Sequence, residues 1–111
     1  DVLNLGSFEI QQTQTSNINI TPVTIFSRDK NTFNSAQMIV NIEDLTYGQY
    51  QSSEILLVQD KNTVRITEYA IVHTSTNPIA TFSADFVGDN AELSVSAYSA
   101  DNIATVLQFI N

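Results

Sequence analysis

The feature that most constrains this chain is a two-residue rhythm of apolar and polar side chains, with almost no helical spacing beside it. From Ala91 to Tyr98, the residues Ala91, Leu93, Val95 and Ala97 alternate with Glu92, Ser94 and Ser96. Ala80, Phe82, Ala84 and Phe86 alternate in the same way with Thr81, Ser83 and Asp85. Successive side chains of a strand leave opposite faces, so each run buries one face and wets the other. The pattern predicts an all-β domain that acts as a scaffold, with its function on loops, edges or outer faces.

Turn signals punctuate the rhythm at short intervals. They fall at Ser27–Asn31, Tyr47–Gln49, Asp60–Asn62, Ser75–Pro78, Gly88–Asn90 and Ser99–Asn102. Each supplies Gly, Asn or Asp, which tolerate left-handed dihedrals or bond to the nearby backbone. The strands are placed at Ser7–Thr15, Asn17–Thr21, Val23–Ser27, Ser35–Ile42, Ser53–Gln59, Thr63–Thr74, Ile79–Val87, Ala91–Tyr98 and Ile103–Phe109. Pro22 has no N–H to give a ladder, so Asn17–Ser27 reads as an edge strand or as two strands with a bend. Two hairpins stand out, one across Asp60-Lys61-Asn62 and one across Gly88-Asp89-Asn90, and consecutive hairpins imply antiparallel neighbours. The segment Ile103–Ile110 also fits helical spacing, behind Asp101 as a cap. Its β-branched and aromatic residues and its shortness favour a strand. The expected fold is a single antiparallel β-sandwich over residues 1–111, of eight or nine strands, with a jelly-roll order in view. Its core is expected to hold Ile55, Leu57, Val64, Ile66, Phe82, Phe86, Leu93 and Val95.

Glu68 is the odd residue in this scheme. On simple alternation it shares a face with Val64, Ile66, Ala70 and Val72, where a carboxylate is costly unless paired. It must find a donor, or the strand must bulge there.

Composition narrows the function by exclusion. The net charge is -8, from four basic residues (Arg28, Lys30, Lys61 and Arg65) against twelve acidic ones. Binding a nucleic-acid backbone or an anionic membrane needs many cations, so neither partner is expected. Apolar residues make up 42% of the chain, enough for a core, and no apolar run approaches the length of a membrane span. There is no cysteine, which removes disulfides, thiolate nucleophiles and Cys-type zinc sites together. Uncharged Ser, Thr, Asn and Gln far outnumber the charged residues, which are 14% of the chain. Such a surface is common on extracellular and virion β-proteins. The start at Asp1 rather than Met reads as that of a trimmed piece of a longer protein.

Candidate chemistry is sparse, and no cofactor is expected. His73 is the only histidine and stands without a Cys, a second His or a Ser elbow motif, so it reads as a strand-end residue rather than a general base. Asp85, Asp89 and Glu92 flank the Gly88 turn and are weak candidates for a calcium site, against the plainer reading of solvated turn acids. A carboxylate pair for glycoside hydrolysis is a weak signal among twelve acids. Tyr47 and Tyr50 bracket Gly48 in an expected loop and are candidates for docking or for stacking on a sugar. Ile18, Ile20, Val23 and Ile25, along the expected edge, are candidates for pairing with another copy. Asn19-Ile20-Thr21 matches a glycosylation sequon, a match common by chance.

Three stretches carry a family resemblance. They are Ser52–Asp60 (SSEILLVQD), Thr67–Val72 (TEYAIV) and Thr81–Asp85 (TFSAD), preceded by Phe33–Ile42 (FNSAQMIVNI). Together they resemble a domain of structural proteins of tailed bacteriophages, many of them marine and cyanobacterial phages. The similarity runs from about Phe8 to Ile110, with Ala70 where the family often carries Gly. The resemblance implies a non-enzymatic β-domain of a virion: a tail, neck, fibre or capsid-surface component. It implies other virion proteins as partners and self-association, with a trimer favoured. The alternative is a receptor- or glycan-binding module at a fibre or spike tip.

Overall fold

The computed structural model describes residues 2–5 and 8–111, and the side chains of 9–12 and 17–111. The described residues form nine strands: β1 (Val2–Leu5), β2 (Phe8–Ile18), β3 (Val23–Asp29), β4 (Ser35–Asp44), β5 (Gln49–Gln59), β6 (Val64–His73), β7 (Ala80–Val87), β8 (Asn90–Ala97) and β9 (Asn102–Ile110). They form an antiparallel β-sandwich. A six-stranded sheet has the order β1-β2-β9-β4-β5-β6, and a three-stranded sheet the order β3-β8-β7. The wrap of β2–β3 against β9–β8 keeps something of a jelly roll. The run β4-β5-β6 is instead a plain meander within the larger sheet.

Alternation sets the core. β8 and β9 run buried and half-buried without a break, and β4 does the same over most of its length. Met38, Val40, Ile42, Ile55, Leu57, Leu93, Val95 and Val106 are almost wholly excluded from solvent. Ile66, Phe82 and Phe86 pack on this core from its margins. Each fully buried aliphatic side chain contributes about 1.5–3 kcal/mol through removal of its surface from water. Both expected hairpins are present, β5 with β6 and β7 with β8. Residues Ile103–Ile110 are strand, held between β2 and β4.

The predicted strand Asn17–Thr21 is not a separate element. β2 continues through Ile18, and the next residues form a bend in which Asn19 Oδ1 accepts the Thr21 N–H at 2.8 Å. That bend lies against the end of β8, where Ser96 Oγ donates to the Ile20 carbonyl at 2.9 Å. Ser7, the predicted start of the strand before it, lies outside the described residues. β5 also begins earlier than expected, at Gln49, which places Tyr50 in a strand rather than a loop.

Two bulges rewrite the simple alternation. In β3, Thr24 pairs with Ser94 and Phe26 with Leu93, so Ile25 is an extra residue in the ladder. Ile25 and Phe26 are both buried in consequence. In β6, Glu54 pairs with Ala70 but Ile55 pairs with Glu68, which leaves Tyr69 outside the register. This bulge does not turn Glu68 outward. It moves Ala70 and Val72 to the opposite face and keeps Glu68 with Val64 and Ile66, opposite Ile55.

Buried amides tie loops to the sheets. Gln51 Oε1 accepts the N–H of Ile79 at 2.6 Å and of Ala80 at 3.3 Å, and so fastens the start of β7 to β5. Buried Asp44 caps the turn after β4, its Oδ1 accepting the Thr46 N–H at 2.9 Å. Gly48 closes the same turn at a φ of 62°, a region in which a side chain is strained.

Candidate functional site: the outer face of the larger sheet

The outer face of the six-stranded sheet has no second layer among the described residues. Its side chains nonetheless resemble those of a covered surface. On β5 the run Ile55-Leu56-Leu57-Val58 is apolar on both faces. Ile55 and Leu57 are buried between the sheets, while Leu56 and Val58 stand 41% and 48% exposed on the outside. Tyr69 and Val72 continue the patch on β6, and Ile39, Leu107 and Phe109 underlie it on β4 and β9, half-buried. Cross-strand register sets polar residues among them: Leu56 lies between Gln37 and Thr67, and Glu54, between Ile39 and Ala70, separates Leu56 from the Ser52–Val72 pair. Gln37 Nε2 donates to the Tyr69 hydroxyl at 2.5 Å and so lays that ring along the sheet.

One end of the face dips into a cleft of about 380 Å3, lined by Glu43, Tyr50, Ser52, Val72, His73, Ile103 and Thr105 among others. The Tyr50 hydroxyl donates to Glu43 Oε2 at 3.2 Å. That hydrogen bond, and then the carboxylate charge, raise the Tyr50 phenol above its ordinary pKa. His73 is turned to the backbone: its Nδ1 lies 2.7 Å from the Ser75 carbonyl, an acceptor, so Nδ1 carries the proton. Of the five clefts described on the surface, none is lined by two carboxylates.

The residues singled out in the sequence scatter. Tyr50 belongs to the outer face, whereas Tyr47, 75% exposed, lines a different cleft together with Tyr98. Ile20 is exposed and Val23 half-buried, but Ile18 and Ile25 are core residues and present no surface. Ile18 is drawn in at the end of β2 past a register shift, and Ile25 by the β3 bulge. β3 itself does lie at an edge of the smaller sheet.

Asp85, Asp89 and Glu92 do not converge, and no group of three metal-ligating side chains occurs among the described residues. Asp85 and Glu92 are cross-strand partners, yet each is otherwise engaged. Asp85 accepts the Phe86 N–H, Glu92 takes the hydroxyls of Thr24 and Ser27, and Asp89 sits 3.8 Å from Lys30. The outer patch itself went unnoticed in the sequence. Its signal was the break in alternation at Ile55–Val58 and Ala70–Val72, since a strand apolar on both faces needs cover on both.

No protein-family model and no curated protein matches this sequence. Solved structures do. The tailspike protein of Acinetobacter baumannii phage AM24 matches with a TM-score of 0.62 at 11% identity, over 94% of this chain and 26% of that one. The tailspike protein of Acinetobacter phage vB_ApiP_P1 matches with a TM-score of 0.58 at 13% identity, over 96% of this chain and 22% of that one. At these identities the likeness is one of fold, and the chain spans a minor part of either tailspike. Both neighbours are phage tailspike proteins, and neither bears on the marine and cyanobacterial part of the resemblance.

Proposed function

We propose that this chain is a non-enzymatic structural module of a phage tail spike or fibre, resident in the virion among other virion proteins, whose copies associate through the outer face of its larger sheet. The observation that carries this reading is the apolar outer patch of Leu56, Val58, Tyr69 and Val72 on a chain of net charge -8. Large apolar side chains left exposed along one sheet face mark a contact surface. The tailspike fold likeness supplies the setting. Copies of the chain around a three-fold axis are the assembly this reading favours, with the patch at their contact. The charge balance argues against a nucleic-acid or membrane partner.

The test is sedimentation of the wild-type chain and of the pair Leu56→Lys and Val72→Glu. The wild type is expected to associate, and both variants to sediment as folded monomers. A wild type that stays monomeric at high concentration overturns the self-association reading.

A second reading, recognition of a host glycan, is favoured by the Tyr50–Glu43 cleft, where a ring adjoins hydrogen-bonding groups. Binding to a glycan array that is lost in Tyr50→Ala, with the sedimentation unchanged, separates it from the first.

A further inference from the structure

The whole chain has four basic residues, and three of them line one cleft of about 350 Å3. Arg28 comes from β3, Lys30 from the turn after it, and Lys61 from the turn between β5 and β6. Only Arg65 lies elsewhere. In a protein of net charge -8, the fold has gathered its scarce cations from distant parts of the sequence.

The loops that carry the two lysines are held by one buried side chain. Gln59 Nε2 donates to the carbonyls of Lys30 at 2.8 Å and Phe33 at 2.5 Å, while its Oε1 accepts the Lys61 N–H at 2.7 Å. Lys61 sits at a φ of 75°, a conformation that Gly adopts freely and other L-residues only with strain. A long cationic side chain is thus kept where a glycine fits better.

The neighbouring carboxylates are mostly committed. Glu9, the one acid lining the cleft, takes both terminal nitrogens of Arg28, at 2.7 and 3.1 Å. Asp29 accepts both the backbone N–H and one side-chain amide N–H of Asn31, and Asp60 accepts the backbone N–H groups of Asn62 and Thr63. Asp89 lies 3.8 Å from Lys30, with its side chain 80% exposed. Neither Asp29, Asp60 nor Asp89 lines the cleft. Its walls carry the ammonium groups of Lys61 and of Lys30, the latter shared with Asp89 and lying 5.9 Å from the Phe86 ring, beside the amide of Asn34 and that of Asn31, which gives one N–H to Asp29.

We propose that this cleft binds an oxyanion, carboxylate or phosphate in class, with Lys30 and Lys61 on its charge and the two asparagine amides as hydrogen-bond donors beside it. The proposal is independent of the docking face, which lies on other residues. Exposed cations bind weakly one at a time, so the expected dissociation constant is about millimolar and rises with salt.

The experiment is an amide-shift titration of the whole chain at low ionic strength, with inorganic phosphate, with trigalacturonate and with neutral maltotriose. Shifts at Asn31 and Lys61 with either anion, and none with maltotriose, support the site. A response to phosphate alone assigns a phosphate source, to trigalacturonate alone a carboxylate source, and to both a site that reads charge only. The Lys61→Gly variant is expected to keep or raise the melting temperature, because it relieves the backbone, while weakening the anion about three-fold or more. No shift with either anion at about 20 mM, equal shifts with maltotriose, or unchanged affinity in Lys61→Gly each overturns the proposal.

Discussion

Glu68 lies directly opposite Ile55 in the β5–β6 ladder and shares its inward face. Its Oε2 is buried without a hydrogen-bond partner. β6 is the outer strand of the larger sheet, so its free backbone edge invites another strand. An inward carboxylate and a bulge at Tyr69 are two devices that discourage such pairing. Glu68 accordingly costs the fold stability and keeps the edge unpaired.

Glu68→Leu tests this trade. Replacing the buried carboxylate with an apolar side chain is expected to raise stability by about 1 kcal/mol, read from the urea midpoint. Light scattering is expected to rise at the same time as the β6 edge becomes sticky. A variant that is less stable and no more prone to associate contradicts the assignment.

The core and the outer patch are expected to respond in opposite ways to truncation. Leu93 is wholly buried, and Leu93→Ala is expected to cost about 3 kcal/mol through lost burial and the cavity left behind. Val72 is 72% exposed, and in dilute, unassociated protein Val72→Ser is expected to change stability by less than about 0.5 kcal/mol. Chemical denaturation of the two variants, at a concentration where sedimentation shows monomers, checks the contrast.

Gln59→Ala removes three hydrogen bonds to the backbone of two loops. The expected loss is about 2–3 kcal/mol, because the carbonyl of Phe33 is left buried without its partner. Faster amide exchange at Lys61 is expected to accompany it. Exchange rates unchanged from wild type rule out Gln59 as the link between these loops.

Asp60 gives a pH dependence of known sign. The backbone N–H groups of Asn62 and then Thr63 lower its pKa below the ordinary carboxyl value. A group lowered in the folded state stabilises above its unfolded pKa, and that contribution disappears as pH falls through the folded value. Asp60→Ala is therefore expected to be less stable than wild type at neutral pH, with the difference shrinking in acid. Melting curves across that range give the result directly.

Glu43→Gln is expected to bring the Tyr50 phenol back toward its ordinary pKa, since the carboxylate is the main cause of its rise. Ultraviolet titration of the tyrosines, compared with Tyr50→Phe to identify the signal, reads the shift.

Much of the fold was legible because β4, β8 and β9 each keep one face in the core along most of their length, and period-two patterning reports that directly. The Asp60-Lys61-Asn62 and Gly88-Asp89-Asn90 turns were legible for a local reason as well. Asp60 bonds its own turn, and Gly88 takes a positive φ. The candidate interface was less legible. Ile18 and Ile25 look the same in sequence as Ile20 and Val23, and a register shift beside each of the first two draws it into the core.

The amino-acid order alone determined that the chain is built from antiparallel strands and which side of most of them is dry. Tertiary structure decided which strands stand side by side, where a ladder skips a residue, and that three distant cations meet in one cleft. The physical reason is range. Alternation and turn preference act between residues a few positions apart, whereas a bulge or a cluster of charges exists only once a strand from elsewhere in the chain lies alongside.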